Sequence, residues 1–194
     1  MNKGSFPLEK FQSLDTPFYY YDIDLLRKTL QLVTDETKHR GFEVHYALKA
    51  NANPRILQEI SSLGFGADCL SGNEILRALD NGFPASKIVF AGVGQTDKEI
   101  QIGLDNNIFC FNVESLPEME AIDELASKSG KIAQIAIRIN PNVDANTHKY
   151  ITTGLEENKF GLNESDLPKA ISFISNSKNI KLIGMHFHIG SQIT

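Results

Sequence analysis

Cysteine is scarce in this sequence: Cys69 and Cys110 are the only two. They lack C-x-x-C spacing, which excludes a metal or redox motif of that kind and suggests reduced thiols in a cytoplasmic protein. Positive charge is short as well. Nineteen Lys and Arg against 24 Asp and Glu leave a formal net charge of −5, which offers nothing to nucleic acid or to an acidic membrane surface. No apolar run is long enough to span a bilayer, and the first residues, Met1 to Pro7, carry neither an apolar signal region nor a cleavage site. Asn163-Glu164-Ser165 matches a glycosylation sequon but reads as chance without such a signal. What remains is an ordinary soluble globular composition, 41% hydrophobic and 22% charged over 194 residues. That is enough for one sizeable core or a piece of something larger.

What is present is a rhythm. Thr16-Pro17-Phe18-Tyr19-Tyr20-Tyr21 reads as extended, so residues 1–21 form an N-terminal segment. Asp22 or Asp24 then caps a helix carrying Leu26, Leu30 and Val33. Apolar strand candidates follow at 42–49, 65–69, 88–92, 108–113, 132–139 and 180–188, with helical patterns between most of them. The helix starts are well marked. Pro54 follows Asn53, and Ser71–Glu74, Thr96–Glu99 and Ser115–Glu118 each fit the capping box S/T-x-x-E. Asn81-Gly82 and Ser129-Gly130 mark returning turns. Strand, short loop, capped helix, turn, strand is the unit of β/α folds. Several strands alternate polar and apolar residues, which favours a (β/α)8 barrel over a doubly wound sheet. About six of the eight units fall within residues 22–194, so the expectation is an incomplete barrel and a fragment with open sheet edges. The stretch 141–164 breaks the rhythm; loops of that size are usually functional or disordered.

Strand parity selects candidate site residues. Lys49 shares a face with His45 and Ala47, and Asp68 shares one with Gly66. Ile135, Ile137 and Ile139 face helices, which leaves Gln134, Ala136 and Arg138 inward. Gly184, His186 and His188 line up opposite Met185 and Phe187. The inward set at the C-terminal strand ends is Lys49, Asp68, Arg138 and His188, with Ser191 just beyond, where barrel enzymes place their chemistry. An always-charged Arg138 between isoleucines needs a buried partner, and Asp68 is the candidate. Lys49 by itself reads first as a solvated surface amine, and Ser71 reads as a helix cap. His186 reads as a packed barrel histidine, and the two cysteines as small core fillers. Gly92-Val93-Gly94 lacks the third glycine of a dinucleotide fingerprint.

Two chemistries suit the inward set. An amine with an acid, a guanidinium and an imidazole suits Schiff-base catalysis on a carbonyl cofactor or substrate. Alternatively, His186 and His188 at i, i+2 could bind a metal. Barrel metallohydrolases generally carry the histidine pair on the first strand with a lysine later. Here that order is reversed, and metal becomes the minor reading.

Tyr46-Ala47-Leu48-Lys49-Ala50-Asn51 resembles the lysine motif of the alanine-racemase-like (fold type III) pyridoxal-phosphate decarboxylases. Gly66-Ala67-Asp68-Cys69-Leu70-Ser71 and His188-Ile189-Gly190-Ser191 resemble two further motifs of that family. Three more stretches are similar to members that act on meso-2,6-diaminopimelate. They are Arg138 to Ala145 with Thr147-His148, Ile151 to Leu155 with Lys159-Phe160-Gly161, and Gly190 to Thr194. The resemblance implies a pyridoxal 5'-phosphate barrel and decarboxylation of meso-diaminopimelate to lysine and CO2. It implies that Lys49 holds the cofactor covalently and helps return a proton, and that His188 packs on the pyridine ring. Asp68, Arg138 and Ser191 are then cofactor neighbours, Lys49 and His188 the catalytic pair, and no metal is needed. Related members act on ornithine, arginine or a carboxylated polyamine, and some barrels of this kind bind the cofactor without decarboxylating. The resemblance further implies that the phosphate loop, the acid facing the pyridine nitrogen, a second mostly β domain and a cysteine from a head-to-tail homodimer partner lie after Thr194. Residues 1–194 by themselves are accordingly expected to lack decarboxylase activity.

Overall fold

The computed structural model describes residues 6–140 and 160–188. Seven helices are found among them: α1 (Leu8–Phe11), α2 (Ile23–Lys38), α3 (Pro54–Ser62), α4 (Gly72–Asp80), α5 (Asp97–Asp105), α6 (Leu116–Lys128) and α7 (Leu167–Asn176). Six strands accompany them: β1 (His45–Ala47), β2 (Gly66–Cys69), β3 (Ile88–Ala91), β4 (Cys110–Val113), β5 (Ala133–Arg138) and β6 (Ile180–His186). The strands form one sheet in the order β1-β2-β3-β4-β5-β6, every neighbouring pair parallel. A doubly wound sheet reverses its strand order at a switch point, whereas a barrel adds each strand beside the last. The uninterrupted order is that of barrel wall, as the alternation of strand residues predicts.

Local chemistry explains where the helices begin. Asn53, held extended before Pro54, accepts the amide of Arg55 at 3.0 Å. Ser71, Thr96 and Ser115 each accept the amide three residues on. Only Thr96–Glu99 closes a reciprocal capping box. At the other two starts the glutamate reaches one residue further back, Glu74 to the Leu70 amide at 2.6 Å and Glu118 to the Glu114 amide at 2.8 Å. Those two carboxylates therefore tie the strand exit to the helix, not merely the helix to its cap.

The core lies between the sheet and the helices. Ala67, Cys69, Ile88, Phe90, Phe111, Val113, Ile135 and Ile137 present one sheet face to Leu57, Ile60, Ile75, Ile100, Met119 and Ile122 of the helices. These side chains are fully or almost fully buried, each large one stabilising the fold by about 1.5–3 kcal/mol. The opposite face carries Ala47, Asp68, Val89, Cys110, Asn112, Ala136 and Gly184 in register. Parity thus sorts the strands correctly between a helix-facing and a barrel-facing side. A register shift between Ile135 and Ala136 lets β6 insert one residue, which brings His186 beside Arg138.

Two strand readings need correction. The first strand ends at Ala47, and Leu48–Ala50 form a single 3-10 turn. Leu48 is drawn wholly into the core, so the chain rotates and Lys49 leaves from the turn instead of the strand. The sixth strand ends at His186, with His188 two residues past it. Ser191, Gly190 and the motifs at 141–159 lie outside the described residues.

Candidate active site

The barrel-facing side at the C-terminal strand ends is where four of the expected residues meet. Lys49 is exposed on its turn and makes no ion pair within 4.0 Å among the described residues. Its ammonium nevertheless bears on both Asp68 and His188. The turn itself is pinned by Asn51. Its Oδ1 accepts the Asn53 amide at 2.9 Å, its Nδ2 donates to the Tyr21 hydroxyl at 3.1 Å, and its carbonyl accepts the Tyr46 hydroxyl at 3.2 Å. Burial raises the Asp68 carboxyl above the ordinary aspartate range, while Lys49 pulls it back and Glu74 adds to the rise. His188 is depressed by burial first, then by Arg138 and Lys49, with Glu114 opposing. His186, beside it, is pushed down to about 4 by burial, Arg138 and His188, and its Nδ1 is buried without a partner among the described residues. It is a neutral imidazole at physiological pH.

Arg138 does not pair with Asp68. Its Nη1 donates to Glu114 Oε1 at 2.6 Å, with the glutamate side chain buried and the arginine's largely so. The guanidinium also lies over the Phe160 ring, 5.5 Å from its centroid. Leu162 bonds back onto β5 by accepting from Asn140 and donating to the Arg138 carbonyl at 2.8 Å, which brings Phe160 to the arginine. The geometric reason for the correction is strand order. Asp68 stands on β2, and β3 and β4 separate it from Arg138 on β5. Glu114 follows directly from β4, the neighbour of β5.

Glu114 and Asn112 are the site residues that sequence reasoning passed over. Both are buried polar groups, 7% and 8% exposed. The signal was there: Cys110, Asn112 and Glu114 recur at i, i+2 on one strand face, and Glu114 was hidden by the capping motif that begins at Ser115. Below them His45, Asp68, Cys110, Asn112, Ala136 and His186 line a cleft of about 380 Å3. His45 there stacks on Phe109, and its Nε2 is buried without a partner among the described residues. Cys110 is a buried free thiol pushed up to about 12 by burial, and burial raises Cys69 too. Neither is a nucleophile at neutral pH. No group of three or more His, Cys, Asp or Glu suited to a metal ion occurs among the described residues.

The donor set suits pyridoxal phosphate. An exposed amine without a paired carboxylate is open to an aldehyde, and an imidazole within charge range of it offers a flat face for a ring.

Comparison with known proteins agrees. Residues 24–194 match the family described as pyridoxal-dependent decarboxylase, pyridoxal binding domain. Diaminopimelate decarboxylase of Bacteroides thetaiotaomicron is 58% identical over 192 residues, which cover 98% of this chain and 50% of that protein. The crystal structure of diaminopimelate decarboxylase from Helicobacter pylori complexed with L-lysine superposes with a TM-score of 0.88 at 44% identity. That match covers 96% of this chain and 47% of the other. Arginine decarboxylase of Paramecium bursaria Chlorella virus, at 23% identity and a TM-score of 0.70, shares the fold. The chain spans about half the length of the curated relatives it matches. It belongs to the pyridoxal-dependent decarboxylases, and residues 24–194 are its pyridoxal-binding domain.

Proposed function

We propose that this chain is the lysine-bearing part of an enzyme that decarboxylates meso-2,6-diaminopimelate to L-lysine and CO2. The observation that carries the substrate is the 58% identity, over 98% of this chain, to a diaminopimelate decarboxylase. The lysine held in the Helicobacter pylori structure supports the same product. Pyridoxal phosphate, when bound, supplies a ring that takes up the electron pair left as the Cα–carboxylate bond breaks.

The chain's own residues do the rest. Lys49 Nζ would hold the cofactor covalently and, as a free amine, would be the group that returns a proton to Cα. The anchor needs a defined position, and the Asn51 hydrogen bonds to Asn53, Tyr21 and Tyr46 supply it. His188 would lie against one face of the ring, and burial, Arg138 and Lys49 lower its basicity there. Asp68 faces the Lys49 turn, where burial raises its carboxyl and the Lys49 charge opposes that rise. Arg138 presents fixed positive charge next to both histidines. Ser191, by the motif in which it stands, would be a further cofactor neighbour.

Full-length protein acts as a homodimer in the cytoplasm; the two reduced, buried thiols suit that compartment. Residues 1–21 form a segment apart from the barrel, which residues 22–194 begin. The test is incubation of the full-length, cofactor-loaded protein with meso-diaminopimelate, ornithine and arginine in parallel. Lysine and CO2 are expected from the first alone. Turnover of ornithine or arginine without lysine formation would reassign the substrate.

A further inference from the structure

We infer that Glu114 is a positioning residue of this site: its carboxylate fixes the Arg138 guanidinium at the barrel mouth and sets the net charge that reaches His188. This role presupposes the reading of Lys49 as the cofactor anchor, because that reading gives the barrel mouth its purpose.

Three observations converge. First, the pair is enclosed. Glu114 and Arg138 side chains are 5% and 12% exposed, with Oε1 and Nη1 2.6 Å apart. A buried ion pair that close persists only because each charge answers the other. Second, the arginine is held from several sides. Glu114 binds its tip, Phe160 covers its face at 5.5 Å, and β6 pairs His186 opposite it. A guanidinium so clamped acts as a fixed charge. Third, that charge is aimed at the histidines. Arg138 depresses both His186 and His188, whereas Glu114 works against it at His188.

Behind Glu114 stands Glu118, from the first turn of α6. Its Oε2 accepts the Glu114 amide at 2.8 Å, which holds the Glu114 backbone in place. Glu118 Oε1 and Glu114 Oε2 are both buried without partners among the described residues. Burial and the neighbouring charge push Glu118 up to about 7, while the Glu114 and Ser115 amides oppose the rise. Near neutral pH Glu118 is thus divided between its acid and carboxylate forms, while the ion-pair contact to Arg138 is made by Glu114. Among the described residues the charged groups that act on His188 are Arg138 on β5, Lys49 on the turn after β1 and Glu114 after β4; Glu114 itself faces Arg138 and Glu118.

The experiment compares Glu114→Gln, Glu118→Gln, Arg138→Gln and the double variant Glu114→Gln/Arg138→Gln in the full-length protein. Two readouts are used: the affinity for added pyridoxal phosphate, and the NMR titration midpoint of His188 without cofactor. Glu114→Gln is expected to lower the His188 midpoint, since Arg138 is then unopposed, and to weaken cofactor affinity by about ten-fold or more. Glu118→Gln, which mimics the protonated acid, is expected to leave both within about two-fold. Because Glu114 acts through Arg138, the double variant is expected to bind the cofactor as Arg138→Gln does. That arm also serves if Glu114→Gln fails to fold, since the double variant leaves no unpaired charge. An unmoved His188 midpoint in Glu114→Gln, equal damage from Glu118→Gln, or a further loss in the double variant would overturn the role. Retention of covalently bound cofactor by Lys49→Ala would instead overturn the anchor reading and leave the His188 shift standing.

Discussion

Gly66 sits where the barrel-facing side of β2 meets β1, opposite His45 in the parallel register. A Cβ at this position would lie 2.2 Å from His45 Cδ2, 2.5 Å from His45 Nε2 and 2.6 Å from the Lys87 carbonyl oxygen. All three distances are far inside van der Waals contact. The imidazole can turn away only by leaving its stack on Phe109, and the carbonyl belongs to backbone entering β3. Overpacking of this kind costs about 1–3 kcal/mol, and the rigid carbonyl argues for the upper half of that range in Gly66→Ala. Removing the ring should relieve two of the three clashes. His45→Ala and Gly66→Ala are therefore expected to be non-additive by about 1 kcal/mol or more, the double variant being more stable than the sum of the singles. Urea unfolding of the full-length wild type, both singles and the double would measure this through midpoints at constant m. A Gly66→Ala protein within about 0.5 kcal/mol of wild type, or strictly additive singles, would refute the reasoning.

Lys49→Ala should abolish decarboxylation and the visible absorbance of covalently held cofactor while leaving the far-UV circular dichroism unchanged, because Lys49 is exposed on its turn. Thr96→Ala removes the cap of the one reciprocal capping box and should lower stability by about 1 kcal/mol in denaturant titration. Glu118 and His186 should tilt the pH dependence of stability in opposite directions. Glu118 is raised in the fold to about 7 from an ordinary 4.5, so its contribution is full below 4.5 and lost as pH rises through 7, by at most about 3 kcal/mol. His186 is lowered to about 4 from 6.5, so its contribution is present above 6.5 and lost as pH falls toward 4. Between pH 4.5 and 6.5, Glu118→Gln should make stability fall more steeply on acidification and His186→Gln less steeply; urea midpoints at stepped pH would read both slopes.

Much of the architecture is written locally. A strand's two-residue alternation and a helix's cap both depend on neighbours a few positions away, so six strands and their helix starts can be located from spacing alone. The same parity identifies Asp68 and Arg138 as barrel-facing. It fails at Lys49 and His188, which lie past their strand ends: the complete burial of Leu48 turns the chain out of the strand.

Strand parity states which face a side chain occupies, but not which neighbour waits there. That is why Arg138 can be recognised in sequence as a buried charge while its partner cannot. The partner is decided by sheet order, which seats β4 beside β5 and puts two strands between β2 and β5. It is also decided by the hand of the turn into α6, where Glu118 grips the Glu114 amide. The residue types that can do the chemistry, and the period that sends them inward, were determined by the sequence itself. The pairing of Glu114 with Arg138, the cover of Phe160 over it and the clamp of Tyr21 on the Lys49 turn were decided only in the tertiary structure. Each joins residues far apart in the chain, and such contacts carry no local signature.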